Sequence, residues 1–137
     1  MASNPKVHPV INQIEVHPFN TQTEIRKICA KHHIAIEAYA PLVRGMRMKH
    51  PKIVELANSY GCSPAQLFVR WAMSYSMKGR LMLTFRPRWS LQHNFITLPK
   101  SAKHSRLIEN VDINSFEISK EDMEAMNELD EGLVTDW

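Results

Sequence analysis

Three short apolar runs, each closed by a proline, constrain this chain more than any other feature. Val10-Ile11-Asn12-Gln13-Ile14-Glu15-Val16 alternates apolar with polar side chains and stops at His17-Pro18. Ile34-Ala35-Ile36-Glu37-Ala38-Tyr39-Ala40 stops at Pro41, and Asn94-Phe95-Ile96-Thr97-Leu98 stops at Pro99. β-branched and aromatic residues suit a pleated surface, and proline cannot donate to a strand ladder, so each run reads as a strand ending at its proline. Helical stretches separate them. Thr23 reads as the cap of a helix over residues 24–32, where Ile25, Ile28 and Cys29 repeat at helical spacing. A second helix is expected over residues 51–60, with a turn at Gly61. Ser63-Pro64, serine as cap and proline at the first helical position, starts a third through residue 71. A fourth is expected over residues 101–111, and Ser119-Lys120-Glu121-Asp122 caps a last one through Leu129. Strands separated by helices are the pattern of an α/β fold with a parallel sheet and helical crossovers.

The chain has 137 residues, the length of one domain, and residues 1–137 are taken as a single unit. A net charge of +3 suits an anionic ligand but falls short of a nucleic-acid-binding signature. Much of the excess sits in residues 44–52 and 78–88. Cys29 and Cys62 show no disulfide-framework spacing, which points to a reducing compartment. No apolar stretch has transmembrane length, and Met1-Ala2-Ser3-Asn4-Pro5 is no signal peptide. A cytoplasmic protein without a membrane partner is expected.

The third strand carries the chemistry. Beyond Leu98 the chain presents Lys100, Ser101 and Arg106, then Glu109-Asn110. Backbone N–H groups converge on an anion where a strand feeds a helix N-terminus, and an ammonium and a guanidinium there add formal charge. Parallel α/β folds keep their ligands at that end of the strands, so this segment reads as a phosphate-binding corner.

Four motifs in order carry a resemblance: Asn12-Gln13-x-Glu15-x-His17-Pro18, Tyr39-x-Pro41-Leu42, Ser63-Pro64-Ala65-Gln66 with Arg70-Trp71, and Pro99-Lys100-Ser101 through Asn110. Together they resemble the C-terminal part of the aldo-keto reductases, NADPH-dependent (β/α)8-barrel enzymes that reduce aldehydes and ketones. The resemblance implies a partial TIM barrel of three parallel strands with surrounding helices, the sixth to eighth of the barrel. It implies NADPH as cofactor and, in the full-length parent, a small carbonyl substrate. Gln13 matches the contact to the nicotinamide carboxamide, Tyr39 the aromatic stacked on the nicotinamide, and Leu42 a backbone contact to the pyrophosphate loop. Lys100 and Ser101 match the pair holding the adenosine 2′-phosphate, Arg106 the guanidinium that pairs with it and covers the adenine. Glu109 and Asn110 match the adenine-amino contacts. Lys103 stands where the family often has a hydroxyl residue. Ala40 replaces the usual serine, and Val43-Arg44 replaces a smaller loop.

Two departures accompany the resemblance. The family's catalytic aspartate, tyrosine, lysine and histidine lie in the first half of the barrel, so no catalytic residue is expected here. These 137 residues are expected to be a truncated part, inactive alone and in need of a partner supplying the missing strands. Residues 72–89 interrupt the family pattern: Arg70-Trp71 is followed by a Met- and Arg-rich stretch before Arg88-Trp89-Ser90-Leu91-Gln92-His93 resumes it. That reads as an inserted segment, from a retained intron or a gene-model error, against a genuine loop. Leu56 to Leu67 also fits a helix-turn-helix, so a DNA-binding or simple nucleotide-binding module is the alternative. Its second helix, Leu67-Phe68-Val69-Arg70-Trp71, lacks the polar tips that groove readout needs. Cys29, His32 and His33 lack the further ligands of a zinc site, so no metal is expected.

Overall fold

The computed structural model describes residues 7–73 and 95–135. Strands β1 (Ile11–Glu15), β2 (Ala35–Tyr39) and β3 (Phe95–Leu98) form one parallel sheet in the order β1-β2-β3. Gln13 pairs with Glu37, and Glu15 with Tyr39; Tyr39 in turn pairs with Leu98. Five α-helices accompany the sheet among the described residues: α1 (Thr23–Lys31), α2 (Pro51–Ser59), α3 (Pro64–Met73), α4 (His104–Val111) and α5 (Lys120–Asn127), with a 3-10 turn at Val43–Gly45. The alternation inferred from the proline-closed runs is the observed one. The expected insertion lies outside the described residues except for Ala72 and Met73, which belong to α3.

Period-two alternation decides which side of the sheet is dry. Ile36, Ala38 and Phe95 point to the helices and are buried, packed with Val16, Leu67, Phe68 and Trp71 in one core. The Trp71 indole is fully covered and donates to Asn127 Oδ1 at 3.1 Å, so α3 and α5 are tied through the core. Side chains of the alternate set face the other way. Ile11, Ile96 and Leu98 there remain 46%, 45% and 41% exposed. A parallel sheet normally has both faces covered. The exposed face is therefore the one a closed barrel would turn inward.

Helix starts depart from the sequence reading at two places. The N-cap of α1 is Gln22, in the left-handed region at φ 52° and without a side-chain cap bond. The Thr23 hydroxyl, expected to cap, pairs instead with the Thr21 hydroxyl at 2.9 Å. Helix α4 starts at His104 rather than Ser101. Ser101 is diverted into a local turn, its Oγ accepting from Lys103 N at 3.2 Å, a serine bond that competes with helix. Ser119 caps α5 as expected, accepting from Asp122 N at 3.0 Å.

The C-terminal segment is latched to the mouth of β1. Leu133 N donates to Phe19 O at 2.9 Å. Glu15, at the last position of β1, accepts from Thr135 N at 3.0 Å, from the Thr135 hydroxyl, and from His17 Nε2 at 3.2 Å. Burial raises the Glu15 pKa, but the Thr135 and His17 hydrogen bonds together bring it below its ordinary value. Burial lowers that of His17 despite Glu15, and a protonated Nδ1 would be buried without an acceptor. Both shifts have the same consequence: the unfolded chain binds more protons than the folded one, so stability is lost as pH falls. His17 acts first, as pH drops below its ordinary 6.5; Glu15 follows below its ordinary 4.5. A melting-temperature series from about pH 8 to about pH 4 is expected to show a decline that His17→Gln removes at its upper end. An unchanged profile in that variant would exclude His17 as the source.

Candidate functional site

The C-terminal ends of β2 and β3 open into a cleft of about 900 Å³, bounded by the loop after β2, the start of α3, and the segment from Leu98 through α4. This volume lies in the range of small-molecule and cofactor sites. Seven of the eight residues singled out from the sequence line it: Tyr39, Leu42, Lys100, Ser101, Arg106, Glu109 and Asn110. Gln13 does not. It shares the exposed sheet face with Tyr39 but sits one strand away, its Nε2 donating to Glu37 Oε2 at 2.8 Å. A second cavity of about 860 Å³ opens beside α1 and the first residues of β2 and β3, and includes none of the eight.

Local backbone chemistry shapes each wall. Ala40, Val43 and Arg44 adopt φ of 49°, 51° and 47°, the left-handed region that non-glycine residues avoid. Such conformations cost of order 1–3 kcal/mol each and persist only where the surroundings hold them. The buried Val43 side chain and the bonds Val43 N to Ala40 O and Gly45 N to Leu42 O do so. On the opposite wall Lys100 and Arg106 are exposed, and among the described residues neither joins an ion pair. Lys103, the N-cap of α4, provides no side-chain cap, so the helix start keeps uncapped donors beside these two cations. The arrangement suits a multiply charged anion.

Deeper in the cleft the donor set changes. Asn110 is 6% exposed, and its Nδ2 is buried without a partner. Buried amide donors are nearly always bonded, so an acceptor from a bound molecule would complete this one. Glu109 beside it offers a carboxylate. An acceptor next to a donor matches the 6-amino group and N7 of adenine. The residues present therefore fit an adenine dinucleotide with an extra phosphate, on the evidence of this orphaned amide and the unpaired cations.

Ser63, Pro64 and Ala65 also line the cleft. The sequence reading gave Ser63 as a helix cap and as the first residue of the Ser63-Pro64-Ala65-Gln66 motif, without a place in the cleft; the cap bond is present, with Gln66 N donating to Ser63 Oγ at 3.2 Å. The serine also reaches Glu109, which only the fold could reveal. The helix-turn-helix alternative is overturned by burial: Leu67, Phe68, Val69, Arg70, Trp71 and Ala72 of α3 are all buried, leaving no face for a groove. Among the described residues no cluster of three or more His, Cys, Asp or Glu side chains could hold a metal ion. No helix among them is long and apolar enough to cross a membrane.

The profile of the aldo/keto reductase family matches residues 1–131. The chain belongs to this family. An uncharacterized oxidoreductase of Schizosaccharomyces pombe is 39% identical over 135 residues, covering 98% of this chain and 42% of the relative. Glyoxal reductase of Bacillus subtilis is 36% identical over 124 residues, 90% of this chain and 38% of the enzyme. Among solved structures, a Gox0644 mutant in complex with NADPH superposes with a TM-score of 0.73 at 31% identity, over 89% of this chain and 38% of that one. The Bombyx mori aldo-keto reductase in complex with NADP gives 0.75 at 30% identity, over 96% and 40%. This aldo-keto reductase chain thus spans about 40% of the length of the relatives it matches. Its three-stranded sheet with helices on one side is an arc of their α/β barrel.

Proposed function

We propose that the cleft at the ends of β2 and β3 binds NADPH and that the chain serves NADPH-dependent reduction of a small carbonyl compound. The observation that carries this reading is the convergence of Tyr39, Leu42, Lys100, Ser101, Arg106, Glu109 and Asn110 on one cleft, with Lys100 and Arg106 outside any ion pair among the described residues and the Asn110 amide donor unpaired. Lys100, Ser101 and Arg106 take the adenosine 2′-phosphate; a planar guanidinium can pair with the phosphate and also cover the purine. Glu109 and Asn110 hold the adenine edge. The loop at Leu42 follows the pyrophosphate, and Tyr39 presents its ring to the nicotinamide, with Gln13 reaching the carboxamide from the exposed sheet face once it leaves Glu37. Bound NADPH would supply the hydride. Two solved neighbours of the chain, in complex with NADPH and NADP, support the cofactor.

Reduction of a carbonyl also needs a proton donor for the developing oxyanion. In this reading the donor comes from outside these 137 residues, from the strands that complete the barrel, whether in a longer chain or a partner. Titrating the chain with NADPH, read by its nicotinamide fluorescence, is expected to give saturable binding. With a reactive aldehyde added, NADPH oxidation is expected to stay at background. Absence of saturable binding would overturn the cofactor reading, and turnover above background would overturn the assignment of the proton donor.

A further inference from the structure

The hydroxyl of Ser63 occupies an unusual position between two helices. A serine hydroxyl has one proton to give and can accept in return. Ser63 Oγ accepts from Gln66 N at 3.2 Å, which fixes its lone pair on the start of α3. Its single proton goes to Glu109 Oε1 on α4, 46 positions away in sequence. The same turn makes a second tie: Gln66 Nε2 donates to Asp112 O at 2.6 Å, and Gln66 Oε1 accepts from Ser63 N at 3.0 Å. Ser63 and Gln66 thus clamp the last turn of α4 at Glu109 and Asp112. Serine and glutamate both line the cleft, with the unpaired amide of Asn110 next in sequence.

We propose that Ser63 is a positioning residue for purine selectivity: its hydroxyl fixes one oxygen of Glu109 so that the other faces the purine 6-position as an acceptor, beside the Asn110 donor. This deepens the dinucleotide reading of the cleft and rests on it. An acceptor so held favours a 6-amino group, which donates, over a 6-oxo group, which presents a second acceptor. Without the hydroxyl, Glu109 is free to rotate away, and the distinction between the two purines weakens.

The test compares NADPH with its reduced hypoxanthine analogue, in which a 6-oxo group replaces the 6-amino group, and with NADH. The unmutated chain is expected to bind NADPH about tenfold more tightly than the hypoxanthine analogue, the scale of one charge-assisted hydrogen bond. Ser63→Ala is expected to bring that ratio close to one, while the NADPH-to-NADH ratio, set at the Lys100 corner, stays unchanged. Ser63→Thr, which keeps the hydroxyl, should restore the purine ratio. A chain disordered by Ser63→Ala would lose both ratios together, and rescue by threonine of the purine ratio alone could not then occur. Full adenine selectivity in Ser63→Ala, with NADPH still bound, would overturn this proposal and leave the cofactor reading standing. Failure of the unmutated chain to bind NADPH would overturn both.

Discussion

Replacing Lys100 or Arg106 with alanine is expected to erase the preference for NADPH over NADH that the proposed site implies. Both side chains line the cleft, are exposed, and form no ion pair among the described residues, so their charge is available to a ligand. The two dinucleotides differ by one phosphate at the adenosine 2′-position, which in the proposed binding mode lies at this corner. A charge-assisted hydrogen bond contributes roughly 1.5–3 kcal/mol, so each variant should lose on the order of tenfold to a hundredfold in NADPH affinity. Affinity for NADH should barely change. Exposed ion pairs are screened by salt, so the preference should also shrink between low and high ionic strength in the unmutated chain. Fluorescence titrations with both cofactors at two salt concentrations test this. Equal affinities in the unmutated chain would contradict the assignment of the corner.

The second large effect concerns the open side of the sheet. Ile11, Ile96 and Leu98 present apolar surface to water, and among the described residues neither β1 nor β3 has a partner on its outer edge. Unpaired strand edges are templates for further pairing, and an apolar sheet face without cover is a surface for association. The isolated 137-residue chain is therefore expected to self-associate at micromolar concentration and to melt over a broad range. Light scattering after size exclusion measures the first and calorimetry the second. Ile96→Lys places a charge on the open face without touching the buried one and should shift the population markedly towards monomer. A monodisperse monomer with a sharp cooperative transition in the unmutated chain would sink this expectation.

Much of the architecture could be read from residue order because the signals are local. β3 ends directly before Pro99, and β1 and β2 end at Glu15 and Tyr39, one residue short of the runs read from the sequence and just before their prolines. The Lys100–Asn110 segment could be read for the same reason: its residues are neighbours in sequence, so the cleft inherits their order. Illegible features depended on partners far along the chain. Nothing local says that Glu15 will meet Thr135, or that the cap serine of α3 will also serve Glu109. Helix starts failed for a subtler reason. Thr23 and Ser101 can cap a helix or bond to a nearby residue, and the surroundings, not the local sequence, decide between these.

The tie between Glu15 and Thr135 has a temporal side. The two residues are 120 positions apart, so the contact turns the described chain into a ring closed by side-chain and backbone hydrogen bonds. β1 is made before the segment that holds Thr135, so the Thr135 bonds join the one from His17 on Glu15 only once that segment has been added. Local pieces such as α2 with α3 can form in the meantime, because contacts close in sequence cost little chain entropy to make. The latch at the mouth of β1 thus closes only when the whole segment from Glu15 to Thr135 is present. A chain stalled short of Thr135 would keep the His17 bond to Glu15 and lack this latch.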